Sequence, residues 1–147
     1  VFEKNKIKFA QPFDFNSCSR ILNSGHYVSQ INSQWLSEYV LHSTFQIKGI
    51  QENPDLRDMY NYLQKNFNKN NSNSDLDIFY SMQSGIKSPT HRDDYDVFII
   101  GALGRTLYKV EDKEFIVEPG DMLHIPARSL HVAIGLDPRI IFSYATY

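Results

Sequence analysis

A mainly β fold, a sandwich or barrel of short strands, is what the sequence predicts. Three observations carry that reading. From Leu76 onward, short apolar runs follow one another closely, and Gly, Pro or charged residues mark the turns between them. Aromatic residues make up 14% of the 147-residue chain, with ten Phe and nine Tyr. Closely spaced short runs with turn signals are the pattern of all-β architectures, and aromatic side chains suit a pleated, half-buried surface.

Taken in order, the elements before residue 76 are mixed. Residues 9–15 and 21–29 read as short strands. Over 33–41, Trp35, Leu36, Tyr39 and Val40 recur at helical spacing. A clearer helix follows Asn53, an N-cap residue with Pro54 at the first helical position and Asp55 in the first turn. Its apolar stripe is Leu56, Met59, Tyr60, Leu63 and Phe67. The asparagine-rich stretch 66–74 reads as an exposed loop. Strands are then expected at 76–82, 95–101, 106–110, 115–117, 122–125, 129–134 and 139–147. One domain spanning 1–147 is expected, with 1–75 flanking a core formed by 76–147.

Composition excludes several functions. A formal charge of −2 lacks the basic excess that nucleic-acid binders use to neutralise phosphates. No apolar run approaches the ~20 residues of a membrane span. Cys18 is the one cysteine, so no intrachain disulfide forms, and a reducing, cytoplasmic setting is expected. The first eleven residues are lysine-rich without an apolar segment, so no secretory leader is expected there; the missing initiator Met reads as a trimmed start. Small polar or acidic molecules remain the expected partners.

The chemistry-bearing residues are few. His91 and Asp93 form an H-x-D pair at the start of an expected strand, where residues two apart share a face. His131 is the best third ligand, completing a set of two histidines and one carboxylate that suits Fe(II) and leaves coordination positions open. His124 is out of phase with its apolar neighbours and is expected to face outward or line an edge. His26, His42 and Cys18 have no motif around them.

Two segments carry a family resemblance. Gly85, five residues, then His91-x-Asp93 resembles the first cupin motif, with Asp where many cupins place a second His. Gly120, five residues, then Pro126 and His131 resembles the second, with Arg128 where Gly is usual and Gly135 where Asn is usual. The run Ser88-Pro89-Thr90-His91-Arg92-Asp93 is similar to the T-P-x-H-x-D segment of the Jumonji-C and ribosomal-oxygenase branch of Fe(II)/2-oxoglutarate-dependent dioxygenases. Asp96-Val97-Phe98, Gly104-Arg105 and the stretch from Gly120 to Pro126 resemble the segments C-terminal to that motif in the same branch.

The resemblance implies a double-stranded β-helix (a cupin or jelly-roll barrel) over about 76–147, with the N-terminal helices packed outside. It implies Fe(II), or another divalent metal, on His91, Asp93 and His131. It further implies 2-oxoglutarate as cosubstrate, and hydroxylation of a small molecule or protein side chain. A homodimer is expected, because cupin barrels often pair through sheet edges. The basic residue that grips the far carboxylate of 2-oxoglutarate falls fifteen residues after the first ligand, which here is the neutral Thr106. Val97 occupies an inward position often held by a polar residue. Ser88, Tyr80 (given inward parity) and Arg139, eight residues beyond His131, are the other candidates for cosubstrate contact. Two alternatives stay open: a cupin metalloprotein that does not use 2-oxoglutarate, and a non-enzymatic cupin-fold binding protein.

Overall fold

The structure is a computed structural model that describes residues 1–23, 43–68 and 71–147. Its strands are β1 (Phe2–Glu3), β2 (Thr44–Ile47), β3 (Ser74–Ser81), β4 (Asp96–Leu103), β5 (Thr106–Val110), β6 (Lys113–Val117), β7 (Met122–Ile125), β8 (His131–Gly135) and β9 (Arg139–Thr146). The helices among the described residues are α1 (Phe15–Asn23) and α2 (Arg57–Phe67). A six-stranded antiparallel sheet has the order β1-β7-β4-β9-β3-β2, and a three-stranded sheet has the order β6-β5-β8. Residues 85–91 run along the free edge of β8 as an irregular fourth strand. Gly85 donates to the Gly135 carbonyl at 2.7 Å, Ser88 to Ala133 at 2.9 Å, and His91 and His131 exchange two bonds of 3.0 Å.

The strands in the second half fall where the apolar runs place them, most within two residues. β4 and β9 are apolar on both faces because both faces are buried. Val97, Ile99 and Ile141 turn toward the smaller sheet and pack with Tyr108, Val117 and Ala133. Phe98, Ile100, Phe142 and Tyr144 turn the other way and meet Cys18 and Ile21 of α1 and Leu63 of α2. A barrel of two sheets with a helical layer outside the larger one is the result. At Gly101 the backbone passes close to the residue after β6: a Cβ there would lie 2.1 Å from the Glu118 carbonyl oxygen, so no side chain fits.

The helix after Asn53 forms as expected. Asn53 accepts from the Asp55 N–H at 3.0 Å, a short 3-10 turn covers Pro54–Leu56, and α2 continues to Phe67. The expected strands at 9–15 and 21–29 are corrected: residues 9–14 are irregular, and Phe15–Asn23 are helical. Alternating Phe13 and Phe15 imitate a strand, but Asp14 caps the helix. Its carboxylate accepts from the Ser17 N–H at 2.9 Å while its own N–H donates to Ser17 Oγ at 3.2 Å, a reciprocal capping arrangement. The Ser17 N–H and hydroxyl, both donating to it, hold the Asp14 carboxyl below the usual range. The expected helix at 33–41, the remainder of 24–29, and His26 and His42 lie outside the described residues. The first half also contributes β1 and β2 to the edges of the larger sheet, so it is more than an outer layer. Cys18 is buried under this layer, and burial pushes its thiol up to about 12, which keeps it protonated.

Candidate metal centre

His91, Asp93 and His131 converge at one end of the barrel, with their ligand atoms all within 4.8 Å of one another. Asp93 Oδ2 lies 3.7 Å from His91 Nε2 and 3.5 Å from His131 Nε2. The Nδ1 atoms are already committed: His91 Nδ1 is 2.8 Å from the Pro89 carbonyl oxygen and His131 Nδ1 is 2.9 Å from that of Ser129. A carbonyl only accepts, so each Nδ1 carries a proton and each Nε2 is the ring atom turned toward the carboxylate, the one available to a metal. Two oriented imidazoles and a carboxylate form a donor set that fits Fe(II) and leaves positions open.

The reason the pair His91 and Asp93 converges differs from the expected one. His91 pairs with His131 in an isolated bridge, and β4 starts only at Asp96, so the H-x-D segment is loop rather than strand. Convergence comes from the loop's attachment to β8 and to the turn before it, where the Arg128 N–H donates to the Asp93 carbonyl at 2.6 Å.

The triad opens onto a cavity of about 260 Å³ between the sheets, which Arg139 also lines. Strand register gives the cavity a direction. On β8, His131 lies opposite Val110, Ala133 opposite Tyr108, and Gly135 opposite Thr106. Gly135 and Thr106 are therefore about 13 Å along the strand from His131. Arg139 belongs to that inner end: its Nε lies 3.1 Å from where a Gly135 Cβ would be. Arg139 is 2% exposed, and its Nε has no hydrogen-bond partner among the described residues; the same holds for the fully buried Thr106 Oγ1. Burial pushes the Tyr108 phenol up, and neighbouring Arg139 works against that shift.

The outer end has the opposite charge. Asp75 and Asp77 line the cavity with Tyr95 and Tyr147. Gln46 Nε2 and the Gly49 N–H bind Asp77 at 2.8 and 2.9 Å, and the Tyr147 hydroxyl binds Asp75 at 2.9 Å. Neither aspartate has an ion-pair partner among the described residues. Burial and the carboxylates around it, Asp93, Asp77 and Asp75 among them, push the Tyr95 phenol up.

The other expected contacts divide. Arg139 and Ser88 line the cavity, but the Ser88 hydroxyl is engaged, accepting from the Ala133 N–H at 2.9 Å where Pro89 interrupts the ladder. Thr106 lies level with Gly135, fully buried and not among the residues that line the cavity. Tyr80 is corrected: it turns to the helical side, stacking on Phe45 at 5.1 Å, because it shares the parity of Leu76 and Ile78. The inward residue there is Phe79. His124 stacks on Phe98 at 4.5 Å with Nε2 3.1 Å from Asp96, away from the triad. Asp75 and Asp77 escaped the sequence reading. Their alternation with Leu76 and Ile78 imitates a strand with a solvent-facing polar side, whereas helices cover the apolar side and the acids face the barrel interior.

No family model and no curated protein matches the chain. Solved structures do. YcfD, a ribosomal oxygenase from Escherichia coli in complex with cobalt and succinic acid, has a TM-score of 0.79 at 18% identity, covering 100% of this chain and 47% of that one. Its complex with cobalt and 2-oxoglutarate gives 0.78 at 18% identity, with the same coverage. An X-ray structure of the same protein gives 0.80 at 16% identity, covering 100% of this chain and 49% of that one. This chain thus spans about half the length of the structures it matches. At these identities the likeness establishes architecture alone: the chain has the double-stranded β-helix fold of the half of YcfD that it overlays.

Proposed function

We propose that the chain is a metal-dependent oxygenase of the Fe(II)/2-oxoglutarate type. The observation that carries this reading is Arg139, a buried cation with an unpartnered Nε, in the same cavity as two histidines whose Nε2 atoms face one carboxylate. A buried cation without a counter-charge is costly, and a carboxylate arriving from a ligand offsets that cost with charge-assisted hydrogen bonds.

His91, Asp93 and His131 would hold the metal. Fe(II) bound there would supply activation of dioxygen, one oxygen atom entering succinate as 2-oxoglutarate releases carbon dioxide and the other entering a substrate C–H bond. Arg139 binds the far carboxylate. Val97, Ile99 and Ile141 exclude water from the wall between the two ends. Asp75, Asp77, Tyr95 and Tyr147 favour a small substrate, or a side chain, that carries positive charge or hydrogen-bond donors at the outer end. Anaerobic titration of the purified chain with Fe(II) and then 2-oxoglutarate tests the reading, with an assay for succinate after admission of air. A 2-oxoglutarate-dependent absorption band and succinate release are expected.

A cupin metalloprotein that does not use 2-oxoglutarate is the second reading. The neutral Thr106 at the position where the resembling branch has a basic residue favours it, and metal uptake without any response to 2-oxoglutarate would establish it.

A further inference from the structure

Two of the three triad residues are not held by a regular strand: His91 sits on an isolated bridge with a side chain 44% exposed, and Asp93 is in a loop. We propose that Arg92 and Glu111, together with Arg128, form an ionic clasp that fixes these loops against each other, making Arg92 and Glu111 positioning residues for the triad. The inference rests on the metal reading above.

Arg92 stands between the ligands His91 and Asp93, and its guanidinium reaches across to the opposite loop. Its Nη1 donates to Glu111 Oε1 at 3.1 Å and to the Arg128 carbonyl oxygen. Glu111 lies in the turn joining β5 to β6, far from the ligands in sequence. Its Oε1 also accepts from the Leu130 N–H at 2.6 Å, and its own N–H donates to the Leu130 carbonyl at 2.8 Å. Leu130 immediately precedes His131. Arg128 completes the clasp, its N–H on the Asp93 carbonyl and its Nη2 on Asp94 at 2.9 Å. Three separate turns are thus tied together by charged side chains bound to main-chain atoms next to the ligands.

The backbone supplies a second, independent argument. Glu111 and Arg128 adopt φ of +52° and +66°, a left-handed conformation that glycine takes without strain and side chains rarely adopt. Both positions nevertheless carry long charged side chains, and both side chains enter this one network. Strain kept in place for a side chain's sake points to a use for that side chain. The use is not bulk stability, because the Arg92–Glu111 pair is about half exposed and such pairs contribute little to folding. What the clasp does is orient ligands, and groups that orient metal ligands typically change metal affinity about 10- to 100-fold when removed.

Anaerobic Co(II) titration of the full chain, read by visible absorption, tests this. Arg92→Ala is expected to weaken Co(II) binding by about tenfold and alter the d–d band shape, with the melting temperature of the metal-free chain unchanged. Glu111→Gln keeps a bond to Leu130 but loses the ionic partner, so its loss is smaller. The double variant binds no more weakly than Arg92→Ala, because both remove one device. Added salt weakens binding more in the unaltered chain than in Arg92→Ala, since only the former has the ion pair to screen. Variants that bind Co(II) within twofold of the unaltered chain, with the same spectrum, would overturn the clasp alone. An unaltered chain that takes up no Co(II) would overturn the metal reading, and the clasp with it.

Discussion

The two ends of the barrel cavity are built on opposite principles. The outer end gathers carboxylates, Asp75, Asp77 and Asp93, and satisfies them mostly with neutral donors: two glutamines, a main-chain N–H and a tyrosine hydroxyl. The inner end holds one guanidinium, Arg139, closed in by Tyr108 and Gly135, with its Nε unpaired. A ligand entering this cavity meets negative potential first and a fixed positive charge last. On the proposed reading, that polarity would orient the ligands: the carboxylate of the cosubstrate would be held at Arg139, and donor groups of a second molecule at the mouth beside the triad.

If the ends are independent, substitutions at each affect different ligands. The largest effect is expected from His131→Ala, which removes the most buried ligand and lowers Co(II) affinity about 100-fold or more, measured by calorimetry. Arg139→Met comes next. Loss of a hydrogen bond to a charged group is worth about 1.5–3 kcal/mol, so 2-oxoglutarate affinity falls about 10- to 100-fold. Co(II) affinity is unaffected by that change, and the ligand-free chain gains about 1 kcal/mol or less in urea melts: a buried cation without a carboxylate partner is gone, but so is its interaction with the Tyr108 phenol. Simultaneous loss of Co(II) binding in Arg139→Met would show that the ends are coupled and that the contrast between them is not functional. Gly135→Ala is subtler: its methyl meets Arg139 Nε at 3.1 Å and Cδ at 3.3 Å, displacing the guanidinium. A roughly threefold weakening of 2-oxoglutarate binding is expected, with metal uptake unaltered. The smallest effect belongs to Thr106→Val, which removes a buried hydroxyl that has no partner. Ligand-free stability rises by about 1 kcal/mol or less, read as a small shift in melting temperature.

The sequence made the triad far more legible than the rest of the cavity. His91, Asp93 and His131 stand at spacings that carry their own signal, and the strands around them announce themselves by alternation and by turns such as Pro119-Gly120. Arg139 was visible only as a candidate, because a turn arginine and a buried one look alike until the register of β8 and β9 is known. Asp75, Asp77 and Tyr80 were misjudged or passed over for a single reason: parity along β3 says which residues share a face, not which face points inward. That choice is made by α1 and α2, which cover the Leu76 and Ile78 side. The wall formed by 85–91 was illegible as a strand because Gly85 and Pro89 interrupt it, and a serine hydroxyl stands in for a main-chain acceptor. Helix α1 was hidden by Phe13 and Phe15, whose alternation outweighed the short capping signal at Asp14.

The placement of β9 has a consequence in time. It lies between β4 and β3, pairing along almost its whole length with both, yet Ser74 and Thr146, which face each other, are 72 positions apart in the chain. The larger sheet therefore has no centre until synthesis has delivered the segment through Thr146, and β3 and β4 must each wait with an unpaired edge. Folding of such a non-local topology is expected on the millisecond-to-second scale and in one concerted phase. A nascent chain halted before β9 emerges would present β3 and β4 as bare edges, the state in which this sequence is most exposed to aggregation.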